Sequence, residues 1–245
     1  MRRTILIATF VVSCLTSLTT ATNPSLTAQD DFTLVKVADG IFAATAKTGG
    51  LASGNAGFVV GDGGVLVFDT FFTPAAMQEL IGVIEGETKQ PIRFAVDSHY
   101  HLDHTGGNQV FAARNVPIIA HDNVFTWQTT KNRRFLPPPE ELQKRRDDAA
   151  KQLNETPEDQ KDKRTQLQRQ IQRFDVMLQI KLTNPSVTFS AGTTHLYLGT
   201  REVVLFTARP YRRRRVGLCA RRQRDVHRRH GLGEDASQSG RRHRE

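Results

Sequence analysis

Apolar and polar positions alternate from residue 32 onward. "FTLVKVADGIFAATA" runs outward, turns at Asp39-Gly40 and runs back, as a β-hairpin does. "NAGFVVGDGGVLVFDT" repeats the pattern around Gly61-Asp62-Gly63-Gly64, a second hairpin. The period then changes. In "PAAMQELIGVIE", residues 74–85, Met77, Leu80, Ile81 and Ile84 fall on one helical face, with Pro74 at the start. "IRFAVDS" and "VPIIAHDN" are short apolar runs of the kind buried on both faces of a sheet.

Residues 137–181 have a different texture. "PPPEELQKRRDDAAKQLN" predicts a polar helix. "TPED" then offers Thr156 as N-cap, Pro157 in the first turn and Asp159 in capping-box position for a second helix. Leu167, Ile171, Phe174 and Leu178 give that helix one apolar stripe. The pair reads as a helical insertion, either a spacer or a cover over a substrate. "VTFSAGTTHLYLGTREVVLFTA" returns to strands, with a turn at Gly199-Thr200. The framework is therefore α/β (α+β) over residues 32–208, with no internal repeat.

The 245 residues, 38% of them apolar, suffice for one core. The start, "MRRTILIATFVVSCLTSLTTATNPS", has two arginines, an apolar run too short for a bilayer and small residues at Thr19-Thr20-Ala21. It reads as a signal peptide over residues 1–21, or as a lipoprotein leader ending at Cys14. Both imply export from a bacterial cytoplasm, and neither leaves a transmembrane segment in the mature chain. The other cysteine is Cys219, so neither a disulfide framework nor a cysteine zinc site is expected.

The formal charge of +9 suggests nucleic acid until its position is considered. Residues 209–245 hold 13 arginines, no lysine and four acidic residues, which is the whole excess; residues 1–208 are neutral. A nucleic-acid-binding module or nuclease would have to rely on that tail, which lacks interleaved aromatics beyond Tyr211.

The chemistry concentrates in residues 98–107, "SHYHLDHTGG". In an extended segment His99, His101 and Asp103 share a side and His104 faces the other way. Imidazoles and a carboxylate at the end of an apolar strand suit Zn²⁺, or less selectively Fe or Mn. His121, without such a neighbour, reads as a strand-end residue.

"HYHLDHTGG", preceded by "NAGFVVGDGGVLVFDT", resembles the signature of the metallo-β-lactamase superfamily. The resemblance implies an αβ/βα sandwich with metals at the sheet edge. It implies His99 and His101 as ligands of one metal, and Asp103 and His104 as ligands of a second. Asp103 would also orient the attacking hydroxide, and Asp69 would support the site from behind. The implied activity is hydrolysis of a small molecule with an ester, thioester, lactone or β-lactam bond.

The resemblance also demands a "GHT"-like histidine and a "TGD"-like bridging aspartate downstream, and neither is present. His195 lies in a hairpin strand, and His227 and His230 lie in the Arg-rich tail. Read one base later, the codons of the tail permit "GHTGGDVWVYAPDANVMFTGDM", with both motifs in order. The tail is thus expected to be out of frame and without structure, the sandwich to be its N-terminal part only, and the chain to be an impaired hydrolase. A non-catalytic remnant is the other outcome consistent with the missing ligands.

Overall fold

The computed structural model describes residues 26–28, 31–207 and 216–222. Eight strands form the first sheet in chain order: β1 (Leu26–Ala28), β2 (Phe32–Ala38), β3 (Ile41–Ala46), β4 (Ala56–Gly61), β5 (Gly64–Phe68), β6 (Ile92–Asp97), β7 (Ile118–His121) and β8 (Val187–Phe189). The hairpins β2–β3 and β4–β5 turn where the sequence predicts, and Gly40 supplies the left-handed residue of the first turn. From β5 to β8 the pairing is parallel. Each parallel step needs a crossover, and the first is α1 (Pro74–Glu87), capped by the Thr73 side chain on the Ala76 amide at 3.1 Å.

Alternation sends the strands' side chains to two cores. Phe58, Val65, Val67, Ala95 and Ile118 meet Met77, Leu80, Ile81 and Ile84 of α1, the predicted helix face. Their neighbours Val59, Leu66, Val96 and Ile119 point the other way, onto Leu198, Val203 and Leu205 of a second sheet. That sheet has the order β11 (Val216–Arg222), β10 (Arg201–Thr207), β9 (Thr193–Leu198). A helix layer, a sheet and a second sheet are thus three layers of the expected sandwich.

The two sheets are tied at their turns. The Asp62 carboxylate accepts from the Thr200 amide at 2.6 Å and the Thr200 hydroxyl at 2.9 Å, and these bonds hold it below the usual carboxylate pKa range. Arg201 reaches the Asp39 carbonyl at 3.0 Å.

Part of the Arg-rich tail, expected to lack structure, forms β11, which pairs with all seven residues of β10. Leu218 and Ala220 face the inter-sheet core, so local alternation suffices for a strand despite the flanking arginines. The rest of 209–245 and the leader at 1–21, including Cys14, lie outside the described residues. Among the described residues no helix is long and apolar enough to cross a membrane.

The insertion is a helical pair, α5 (Pro139–Glu155) and α6 (Lys161–Met177). Thr156 does not start α6. It closes α5, its hydroxyl donating to the Gln152 carbonyl at 2.6 Å, and Arg164 reaches back to the Thr156 carbonyl at 2.6 Å. A threonine hydroxyl can serve the preceding turn as readily as the following one, and here the preceding turn has it. Ahead of the pair, α4 (Asp122–Thr130) and a 3-10 turn at Asn132–Arg134 were not marked by periodicity.

The stem of the insertion is not separate from the domain. Leu136, Leu142, Met177 and Ile180 form one buried cluster with Leu102 of the "HLDH" motif. Replacing residues 150–171, beyond the Arg146–Asp175 ion pair, with a short Gly/Ser turn is expected to leave metal content unchanged by elemental analysis. Replacing all of 137–181 uncovers Leu102 and its partners, at about 1.5–3 kcal/mol per large apolar side chain, and should lower both the melting temperature and metal retention.

Candidate metal centre

The motif begins where β6 ends. Residues 98–100 bend away from the sheet, and His101 is extended. Leu102–Thr105 then closes one helical turn, α2, followed by α3 (Asn108–Ala112). This turn overturns the expected side for His104. The helix carries it back so that the His99 and His104 rings lie 4.3 Å apart between centroids, with His99 and His101 at 4.6 Å. Asp103 Oδ2 is 3.4 Å from His104 Nε2. The four motif residues therefore converge, although not through strand alternation.

Asp69 is the anchor beneath them. It is buried at the end of β5, and its two oxygens accept from the Ser98 amide and the Ser98 hydroxyl, both at 2.7 Å. Its Oδ2 also lies 2.8 Å from His104 Nδ1. The Ser98 hydroxyl has one proton, given to Asp69, so its 3.0 Å contact with His99 Nδ1 requires that nitrogen to donate. The Nδ1 atoms of His99 and His104 are thus both held as donors, to Ser98 and Asp69, while His104 Nε2 faces Asp103 at 3.4 Å. A carboxylate that fixes the tautomer and orientation of a histidine is the usual support of a histidine metal ligand.

Burial favours a neutral His104, but hydrogen bonds to Asp103 and Asp69, and their charges, lift it to about 9. The His104 bond holds the Asp103 carboxyl below its usual range. A metal taken up by His104 would have to displace that proton. Imidazoles and a carboxylate are zinc-type donors, yet among the described residues no three His, Cys, Asp or Glu side chains are placed to hold a metal ion together.

The backbone under the motif is strained. Asp69 and Phe71 both adopt left-handed angles, φ +60, on either side of Thr70. Such residues cost about 1–3 kcal/mol each and persist where surrounding bonds hold them. Here the Thr70 amide donates to the His104 carbonyl at 2.8 Å, and the Gly106 amide donates to the Phe71 carbonyl at 2.9 Å. Asp97, fully buried, accepts from the Asn108 side-chain amide at 2.9 Å. Its burial, with Asp69 nearby, pushes its carboxyl well above the usual range. Ser98, Thr70, Asp97 and Asn108 were missed by sequence reasoning. Adjacency to His99 was a signal for Ser98; the others have none, because they meet the motif only through the fold.

His121 ends β7, its Nδ1 accepting from the Asn123 amide at 3.0 Å and its Nε2 lying 2.7 Å from the Ser190 carbonyl. It is a strand-end residue, as expected. His195 stands in β9 and pairs with Glu202 at 2.6 Å.

The sequence model of the metallo-beta-lactamase superfamily matches residues 49–206. This chain belongs to the metallo-beta-lactamase superfamily. The superfamily member shares 32% identity over 65 residues with the 2,4-dinitroanisole O-demethylase subunit alpha of Nocardioides sp. (strain JS1661), covering 26% of this chain and 20% of that protein. Among solved structures, it is similar to a metallo-beta-lactamase from Pontibacter korlensis, with a TM-score of 0.45 and 15% identity over 75% of this chain and 60% of that one. For a structure of TMB-1 the TM-score is 0.43, with 14% identity over 74% and 59%. The matches thus span a fifth of the curated relative and about three fifths of these structures.

Proposed function

We propose that the parent activity is zinc-dependent hydrolysis of a small molecule outside the bacterial cytoplasm, at an ester, thioester, lactone or β-lactam bond. The observation that supports this reading is the arrangement around Asp69, which braces His104 directly and His99 through Ser98, with Asp103 alongside. His99 and His101 would hold one metal, Asp103 and His104 a second. When bound, divalent metal supplies an acidified water and polarisation of the scissile carbonyl. The chain's own residues do the rest. Asp103, the more exposed carboxylate, can accept a proton from an incoming water. Asp69 and Ser98 keep the two rings from turning. The demethylase relative adds aryl methyl ethers to the substrates worth assaying.

The chain as it stands is an impaired form of this enzyme, lacking the downstream histidine and bridging aspartate. Metal content measured after gel filtration tests the ligand assignment. Zinc, even if substoichiometric, should copurify with the full chain, and His101→Ala should remove most of it. Unchanged stoichiometry in the variant would overturn the assignment.

A further inference from the structure

We propose that Arg173, on the second helix of the insertion, recognises an anionic group on the substrate, so that the site takes an apolar molecule carrying a carboxylate or similar anion. The proposal rests on the reading of His101 and Asp103 as the reacting centre and adds the substrate class to it.

A hollow of about 320 Å³ opens directly beside His101 and Asp103. Phe72, Leu102, Phe135 and Met177 give it apolar walls, and Arg173 is the cation among its lining residues. That is the size and character of a small-molecule site, an apolar pocket with a few polar groups to set orientation. Phe135 is half exposed, with the Arg134 guanidinium over its ring at 4.6 Å from the centroid.

The hollow continues into a second, of about 800 Å³, with Ser53, Phe72 and Arg173 common to both. Arg169 lines this outer space beside Arg173, and no carboxylate does. Its field is therefore positive on the approach to the motif. Arg173 makes no hydrogen bond or ion pair among the described residues. The acid two residues away, Asp175, is taken by Arg146 of α5 at 3.0 Å. An unengaged guanidinium at the junction of two hollows offers a planar fork that matches a carboxylate. With Met177 and Phe72 in the same wall, an apolar body would reach towards His101 while its anion stays at Arg173. The alternative role, an arginine stem that merely shields apolar surface, predicts no preference for charge.

The test uses 4-phenylbutyrate and 4-phenylbutanol as probes, which share one carbon skeleton and differ in the anion. Binding to the full chain is measured by calorimetry or ligand-observed NMR with a chelator present, so that no metal can take the carboxylate. The acid should bind more tightly than the alcohol, and the preference should shrink with added salt. Arg173→Ala should weaken the acid about tenfold and leave the alcohol unchanged. Phe135→Ala should weaken both alike. Arg173 is exposed, so the variant should keep the circular dichroism of the parent. Equal binding of the two probes, no binding of either, or a preference that survives Arg173→Ala would each overturn the proposal. Because the measurement is made without metal, an acid preference in a chain that never hydrolyses anything would leave this inference standing and count against the proposed function alone.

Discussion

Shifting the reading frame by one base after residue 207 is expected to raise turnover of an ester and β-lactam panel more than about a hundredfold over the literal chain. Loss of a single supporting partner of a metal ligand already costs about 10–100-fold, and on the proposed ligand set the literal chain lacks two donors. The second sheet explains why the comparison is clean. The β-rich "VWVYAP" run of the shifted frame falls on the codons of β11, which already pairs with β10 and buries Leu218 and Ala220 against the inter-sheet core. The strand is kept in either frame; the donors are what change. The missing histidine would fall in the connection between β10 and β11, and the bridging aspartate after β11. The shifted chain should also be more soluble, because Tyr197 and Phe206 of the second sheet are exposed in the literal one, at 59% and 39%. Expressing both versions and measuring zinc per chain and turnover decides it. Full loading and equal turnover by the literal chain would show that the shift is not needed.

Gly106→Ala should dislodge the metal motif. A Cβ at this position would lie 1.9 Å from the Phe72 carbonyl oxygen and 2.5 Å from its carbon. The backbone angle is an ordinary helical one, φ −66, so the obstacle is contact, not conformation. Both partners are main chain, and neither can rotate away. The strand-end loop at 69–73 or the motif itself must move, breaking the bond from the Gly106 amide to Phe71. The cost should be about 3 kcal/mol or more, lowering the melting temperature by roughly 6–12 °C, with loss of bound metal. Gly82→Ala is the matched control. Gly82 sits inside α1 with nothing within 4 Å of an added Cβ, so that variant should gain about 1 kcal/mol. Equal melting temperatures for the two would mean the loop is looser than these contacts imply.

Most elements of the first sheet were legible in the chain because each is stated locally. Asp39-Gly40 and Asp62-Gly63 mark turns, and Met77, Leu80, Ile81 and Ile84 repeat at helical spacing. The candidate ligands were legible for the same reason, being packed into six residues. Their geometry was not. Strand alternation places His104 opposite His99, and only the one-turn helix at Leu102–Thr105, held by Thr70 and Phe71 from another part of the chain, reverses it. Thr156 shows the same limit on a small scale, since a cap residue between two helices can serve either one. Ser98's role as the link between Asp69 and His99 depends on which atom holds its one proton, which no pattern of residue types expresses.

The two faces of the first sheet are finished at different times. As the chain leaves the ribosome, Met77 to Ile84 cover one face soon after β5 is made. The other face, with Val59, Leu66, Val96 and Ile119, waits for Leu198, Val203 and Leu205. Between Ile119 and Val203 comes the whole polar insertion, so at ribosomal speed that face stays bare for roughly 4–17 seconds. In that interval the nascent chain is a half-built domain with a greasy underside, and it is the stage at which a chaperone or a neighbouring copy would take hold. The insertion thus delays burial of the inter-sheet core, and shortening it at its tip should improve the yield of folded protein in rapid expression.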